Sequence, residues 1–418
     1  MSDGGKSLTD LEDSQQEKQP VQRLQSLDVY RGLIMISLAF VGFGLAATAG
    51  NFLETRPESA FWKQVQYQFS HAEWVGCSYW DLIQPSFMFM VGVSMAYSYA
   101  KRQALGHSYM QMLRHAVTRA FVLVALSVFL MSMWSDATNW TFMNVLAQIG
   151  IAYPFLFLLW NRPFRIQAIA ATLLLVGTWI AYEAYPNSGV NLQSGAPEVG
   201  VTREWAQEHL TGIRDPWHKN ANVGHAIDIQ FLNQFPREEP FRYSGGGYPT
   251  INVVPSLATM LFGLMCGELL RSRRSSKTKL LILFGAGAVG LASGYALDLS
   301  GVIPIVKRIW SPSWTLFSTG WCCLILGSLY GIFDVLKLRF WTFPVIVIGM
   351  NPIAIYCMSM TLKPWVRRQL EIHFGENVFT FYGAMDPVWT PTVQATLVGL
   401  VFWLVCYYMY RNRIFIRV

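Results

Sequence analysis

The chain is 418 residues long, 53% hydrophobic and 15% aromatic, yet only 14% charged, with a formal net charge of +7. A soluble domain carries roughly a quarter charged residues, so too little polar surface remains here to cover a water-exposed globule, and much of the surface must face lipid. The basic excess falls in short tracts beside apolar runs, not in a patch interleaved with stacking aromatics, which argues against nucleic acid and for membrane topology.

Residues 1–26 are hydrophilic and read as a disordered cytoplasmic tail. No apolar stretch precedes the first span, so no cleavable signal peptide is expected, and the short tail points to a bacterial inner (cell) membrane. Residues 27–418 read as a single all-α, polytopic transmembrane bundle with folded extracytoplasmic loops. A span needs about 20 mostly apolar residues. The runs 33–50, 80–100, 117–134, 142–160, 166–184, 251–270, 280–298, 313–333, 341–361 and 392–410 meet that need, which gives about ten spans. With both termini cytoplasmic, the cytoplasmic segments hold 20 of the 32 Lys and Arg residues, although the outside loops are far longer.

Three outside segments exceed simple turns: 51–79, 185–250 and 362–391. Loops this long are functional or disordered, and their Trp, Tyr, Phe and His content reads as folded caps over an outward-facing cavity. In the first, Phe61, Val65 and Phe69 recur every four residues beside Trp62. That spacing predicts an interfacial helix delivering His71 to the membrane surface, although an aromatic interface belt accounts for the Trp and Tyr residues equally well. Gly290 and Gly294 are spaced for close helix packing. Five of the six cysteines lie in apolar stretches as small hydrophobes, and no spacing suggests zinc or a disulfide framework. No metal is expected.

Polar groups within spans are costly and each asks for a reason. Gln84 and Pro85, Gln148, Asn252 and Pro255, and Asn351-Pro352 all fall inside or at the start of spans. Interhelical hydrogen bonding accounts for any one of them; together they predict a polar cavity, with Gln148, Asn252, Asn351 and the nearby Trp74 as candidate substrate-binding residues. Asp81 at the outer start of the second span either stabilises the helix dipole or pairs with His71, orienting the imidazole.

Two blocks carry a family resemblance. Arg23-Leu24-Gln25-Ser26-Leu27-Asp28-Val29-Tyr30-Arg31-Gly32 opens it. His71-x-x-Trp74-x-Gly76-x-x-x-x-Asp81-Leu82-Ile83-x-Pro85, running into Phe87-Met88-Phe89-Met90-Val91-Gly92-Val93, is more specific. Looser agreement follows at Ile149–Tyr153, Val306–Trp314 and Ile348–Pro352. Over roughly residues 23–410 the chain resembles the heparan-α-glucosaminide N-acetyltransferase family and its uncharacterised bacterial relatives.

The resemblance implies transfer of an acetyl group from cytosolic acetyl-CoA to an amino sugar or glycan across the bilayer, with His71 and Asp81 as candidate catalytic residues. Acetyl-CoA is too charged to cross, but its thin pantetheine arm could thread between helices. Arg31, Lys101 and Arg102 are placed to meet its phosphates, unless they serve only as positive-inside anchors. His71 would act as base in direct transfer, or take the acetyl group covalently. The chain departs from the family pattern at Gly42-Phe43, at Leu146-Ala147-Gln148 and at Gly246-Gly247, which bears on the acceptor more than on the reaction class. The polar loop 216–248 could rebuild an acceptor site or simply hold the cap together. Two other readings stand beside acyl transfer: a transporter or flippase of a polar or lipid-linked glycan, and a structural subunit of an envelope assembly. The expected partners are the lipid bilayer and a glycan or small-molecule acceptor, and a homodimer stays open.

Overall fold

The computed structural model describes residues 24–186, Gly189 and residues 192–416. Residues 1–23 of the expected tail lie outside the described residues, while Gln25 and Ser26 already belong to the first helix. Helices α1 (Gln25–Ala39), α2 (Leu45–Thr55), α3 (Ala60–Gln68), α4 (Ile83–Ala104), α5 (Tyr109–Ser132), α6 (Val145–Leu159) and α7 (Phe164–Glu183) come first. The segment 185–250 follows and holds α8 (Arg203–His209) and α9 (Val223–Leu232). Then come α10 (Val253–Arg271), α11 (Ser276–Leu299), α12 (Pro312–Tyr330), α13 (Phe343–Gly349), α14 (Pro352–Thr361), α15 (Lys363–Phe374) and α16 (Thr390–Arg411). Among the described residues the only β-pairing is two isolated antiparallel bridges, Val75 with Val306 and Ala196 with Val201.

Six helices are long and apolar enough to cross a membrane, or up to eight if each of two bent pairs is one span. This is fewer than the ten runs picked out by composition. Two of those runs are interrupted: α1 and the stretch from Val41 to Thr55 meet at 48°, and α13 and α14 at 78°. The remaining two are α4, whose face carries Gln84, Ser86, Ser94, Ser98, Lys101 and Arg102, and α6, which has only 15 residues. At 1.5 Å per residue α6 is about 22 Å long, short of the ~30 Å hydrocarbon core.

The first bend has a local cause. Val41, Gly42, Phe43 and Gly44 all have positive φ, between 49° and 65°, a left-handed turn that glycine enters readily and valine and phenylalanine rarely do. Packing holds it: a Cβ on Gly44 would lie 2.3 Å from the Pro391 carbonyl oxygen, so the turn is wedged against the start of α16. The second bend sits at Asn351-Pro352, where proline lacks the N–H that would continue α13. Helix starts elsewhere follow side-chain chemistry. Ser108 and Gln111 form a reciprocal capping box on α5, Asn144 caps α6, and Ser311 with Pro312 opens α12. The N-terminus of α1 is capped from afar, the Asp334 carboxylate accepting from Gln25 N at 2.8 Å and Ser26 N at 3.1 Å.

Several helix pairs pack backbone to backbone, α1 and α13 among them through Gly32 and Gly349. A Cβ on Gly92 would lie 1.9 Å from the Met260 oxygen, and one on Gly263 2.0 Å from the Phe89 oxygen, which locks α4 against α10. The expected close approach at Gly290 and Gly294 is against α12, where added Cβ atoms would meet the Leu316 and Ser313 oxygens at 2.9 and 2.7 Å. At the end where α4 begins, α3 forms over the predicted aromatic repeat, with Trp62 stacked on Phe52 at 4.1 Å. The segment around α8 and α9 builds a satellite core of Trp74, Tyr182, Trp217, Val306 and Ile309. We call this the capped end, and the opposite end of α4, carrying Lys101 and Arg102, the basic end.

Gly263→Val forces a branched side chain into the α4 backbone and is expected to destabilise the detergent-solubilised protein by about 3 kcal/mol or more, lowering its thermal midpoint. Gly285→Val, whose Cβ meets nothing within 4 Å, leaves the midpoint unchanged. Equal midpoints for the two variants would mean that α4 and α10 are not packed this closely.

Candidate active site

Asp81 sits in a 3₁₀ turn, Trp80–Leu82, just ahead of α4. Its carboxylate is fully buried and gathers donors from two loops. Oδ2 accepts from the backbone N–H groups of Ala72 at 3.0 Å and Ser78 at 3.2 Å. Oδ1 lies 2.7 Å from His71 Nδ1 and 3.2 Å from Lys307 Nζ. The nine residues between His71 and Asp81 therefore fold back on themselves, as the pairing expectation required, with Ser78 Oγ accepting from Asp81 N at 3.2 Å.

Lys307 arrives on the loop between α11 and α12. That loop is pinned to the His71 segment by the Val75–Val306 bridge and by Gly76 N donating to Ile305 O at 2.9 Å. It is shaped internally by Ser311 and Ser313, whose hydroxyls donate to Pro304 O at 2.7 and 2.6 Å, and by Ile305 N donating to Asp298 at 2.8 Å. Next to Lys307, Arg308 donates to Gly246 O at 3.0 Å and pairs with Glu73 at 3.6 Å. The Lys307 side chain is 6% exposed and its Nζ also lies 3.0 Å from His71 Nδ1, whereas the His71 side chain is 43% exposed.

Burial opposes ionisation of Asp81, but the hydrogen bond from His71 and the Lys307 charge outweigh it and hold the carboxyl well below the usual carboxylate range. Burial pulls the Lys307 ammonium down from its ordinary value, and the Asp81 charge pulls it back. Cys77 is pushed up to about 12, chiefly by burial and then by the Asp81 charge, which leaves it a thiol and not a nucleophile at neutral pH. An ionised carboxylate 2.7 Å from Nδ1 requires a proton between them. Lys307 has only donors to offer, so its bond goes to Asp81 Oδ1 and Nδ1–H points at the same oxygen. Of the two neutral tautomers, this network fits the one with its lone pair on Nε2.

Two cavities meet in the middle of the bundle. At the capped end one of about 240 Å³ is lined by His71, Lys307, Trp80, Gln84, Tyr248 and Tyr356 over an apolar floor that includes Met35 and Phe87. At the basic end a larger one, about 720 Å³, is bordered by Arg31, Lys101, Arg102, His107, His115 and Arg119, and runs inward past Ser94 and Met90 to Phe87. Phe87 borders both. Four helices, α1, α4, α6 and α14, contribute to each cavity, and along α1 Arg31 and Ile34 belong to opposite ones. On α6 the corresponding residues, Tyr153 and Val145, are eight positions apart, so the layer between the cavities spans about one to two helical turns, roughly 5–12 Å.

The sequence-predicted site residues divide cleanly by position. His71 and Asp81 come together, and Arg31, Lys101 and Arg102 line the large cavity. Arg102 already touches His115 at 2.6 Å, and Arg31 pairs with Asp28 at 2.9 Å. The four candidate substrate-binding residues stand back from the small cavity. Trp74 is buried and donates to Trp217 O at 3.0 Å. Asn252 donates to Arg308 O at 2.7 Å, and Asn351 bonds the backbone of Ile414 and Ile416 at 3.1 and 3.0 Å. Gln148 donates to Met143 O and touches Gln84, which itself reaches the cavity wall. Lys307 carried no assigned role in the sequence reading. Its signal is a lysine between Pro304 and Trp310 in a short outside loop, where the topology rule disfavours basic residues. Among the described residues, no group of three or more potential metal-ligating side chains assembles.

Comparison with known proteins finds no matching family model. The chain is 23% identical over 435 aligned residues to "Heparan-alpha-glucosaminide N-acetyltransferase" of Homo sapiens, covering 95% of this chain and 60% of that protein. The Mus musculus protein of the same description matches with the same identity and coverage. The chain therefore spans about three fifths of the length of the curated relatives it matches.

Asp81→Asn leaves Lys307 buried without a counter-charge, a change that costs about 3 to 5 kcal/mol. Because the folded Asp81 carboxyl titrates below its unfolded value, its stabilisation is complete above about pH 4 and is lost as pH falls toward the depressed value. The variant should melt below the wild type throughout pH 5–8, with the gap narrowing in stronger acid. A gap that stays constant down to pH 3 would remove Asp81 as an ionised partner.

Proposed function

We propose, taking this chain as a distant member of the heparan-alpha-glucosaminide N-acetyltransferase family, that it is a multi-pass membrane acyltransferase. In this reading it moves an acetyl group from acetyl-CoA at the basic end to an amino sugar or other glycan at the capped end. The observation that carries the reading is the pair of cavities divided only by a layer at Phe87, one rimmed with cations and the other holding His71.

Each half suits its reactant. A cavity of about 720 Å³ with Arg31, Lys101, Arg102 and Arg119 at its borders suits the phosphates of a CoA thioester, which bind best to guanidinium and ammonium donors. The pantetheine arm follows the apolar inner wall, Met90 and Val91 of α4, to bring the thioester past Phe87. The small cavity offers Trp80 as an apolar platform and Gln84, Tyr248 and Tyr356 as polar edges, a mixture that suits a sugar ring. Orientation with the basic end in the cytosol follows the distribution of Lys and Arg.

The reaction is written as direct transfer. The acceptor nitrogen attacks the thioester carbonyl carbon while Nε2 of His71 takes its proton; the N–C bond forms and the C–S bond breaks. CoA leaves as the thiolate and receives a proton from the imidazolium or from water, so free CoA and the N-acetylated sugar result. Asp81 orients the ring through Nδ1 and stabilises the transient imidazolium.

Two measurements test this. His71→Ala should lower acceptor-dependent release of CoA from acetyl-CoA by about 10²-fold or more in a variant that still folds, with a modest fall in thermal midpoint, since Asp81 keeps Lys307 and two backbone amides. Survival of CoA release in that variant ends the reading. Lys101→Ala combined with Arg102→Ala should raise KM for acetyl-CoA about tenfold, the equivalent of one charge-assisted hydrogen bond of ~1.5 kcal/mol. KM for the acceptor should stay unchanged.

A further inference from the structure

An ionised carboxylate alone beside a histidine favours the imidazolium, and an imidazolium has no lone pair with which to accept a proton or an acyl group. The His71–Asp81 pair is not alone. The Lys307 ammonium, 3.0 Å from His71 Nδ1 and 3.2 Å from the same Asp81 oxygen, places one positive charge against the negative one at nearly equal range. We propose that Lys307 is a positioning residue that neutralises Asp81 toward His71, so that the ring rests as the uncharged Nδ1–H tautomer with Nε2 free for the acceptor or the acyl group. This rests on the acyl-transfer reading only for its consequence, not for its electrostatics.

The surroundings leave that task to Lys307. Glu73 and Cys77 lie on the His71 loop, Tyr67 on α3, Tyr248 on the cap, Tyr356 on α14, and Arg308 beside Lys307. Glu73 and Arg308 pair with each other at 3.6 Å. Cys77 and the tyrosines are neutral near pH 7. Asp81 and Lys307 are the charges in direct contact with the ring. Lys307 is also fixed where it acts. Its neighbours Val306 and Arg308 are tied to Val75 and Gly246, and Trp310 Nε1 donates to Thr259 at 3.2 Å. An arginine has the same charge, whereas a glutamine keeps a donor to Asp81 without the charge.

The test reads the protonation of His71 directly in the full-length protein in detergent. Diethyl pyrocarbonate acylates only neutral imidazole, and the modification rate of the His71 peptide, followed by mass spectrometry from pH 5 to 8.5, gives the midpoint of its titration. Lys307→Gln should move that midpoint up by about one to two pH units, and Lys307→Arg should leave it within about 0.3 units of the wild type. Lys307→Met, which removes the charge and suits a buried position, should move it up as well, and it decides the matter if Lys307→Gln does not fold. An unchanged or lowered midpoint in Lys307→Gln, or in Lys307→Met where the glutamine variant does not fold, overturns the proposal. In the same preparations, the acid limb of the CoA-release profile should rise with the midpoint in Lys307→Gln. Absence of CoA release from the wild type would instead sink the acyl-transfer reading and leave the midpoints to judge Lys307.

Discussion

One buried carboxylate holds the capped end together. Asp81 is the point at which two backbone amides, an imidazole and an ammonium converge. Burying a charge in a membrane protein is costly unless it is paired and hydrogen-bonded, and here both conditions are met from segments more than two hundred residues apart. The pair therefore does more than set electrostatics. It joins the loop ahead of α4 to the loop ahead of α12, and so ties two helix pairs, α4 with α10 and α11 with α12, to one polar centre.

The same economy explains why α4 and α6 fail as ordinary spans. A helix facing lipid all round needs an unbroken apolar surface. The polar residues of α4 instead face the cavities: Gln84 at one end, Ser94, Ser98, Lys101 and Arg102 at the other. Helix α6 is short and supplies Val145 to one cavity and Tyr153 to the other. The polar side chains of α4 reflect where that helix sits in the bundle, packed on α10 with one side toward the cavities, whereas α6, packed on α5, is apolar and falls short only in length. Around the small cavity, Gly42 packs against Phe69 and Trp80, Gly246 accepts from Arg308, and Gly247 closes against Lys219 and Trp74, so small residues fill positions next to its walls.

Much of this was legible in advance, for identifiable reasons. Apolar runs and aromatic periodicity reveal helices because both reflect one-dimensional spacing, and α3, α5, α7, α10, α11, α12 and α16 appear within a few residues of their expected places, α5 alone beginning a turn or two earlier. His71 and Asp81 were readable because ten residues is close enough for a turn to bring them together. Span counting went too far where composition ignores backbone geometry: nothing in the apolar average of 33–50 signals four consecutive left-handed residues. Asn252, Asn351 and Trp74, offered as candidate substrate-binding residues, do not line the small cavity. Their partners turned out to be backbone carbonyls and amides tens to hundreds of residues away, which spacing cannot reveal. Lys307 was overlooked for the same reason, since its value lies wholly in a contact 226 to 236 positions distant.

The thin partition at Phe87 has an electrical consequence. In the orientation proposed above, with the two cavities open to water on opposite faces, the low-dielectric layer of the bilayer would shrink locally from ~30 Å to one or two helical turns. A transmembrane voltage falls where the insulation is, so most of it would drop across that layer, at about 2.3 kcal/mol per elementary charge per 100 mV. A neutral acetyl group, moved as proposed above, would cross this layer without sensing the field. A proton or a thiolate at the same place does not, which makes the membrane potential itself a reactant-side variable for any chemistry conducted between the two chambers.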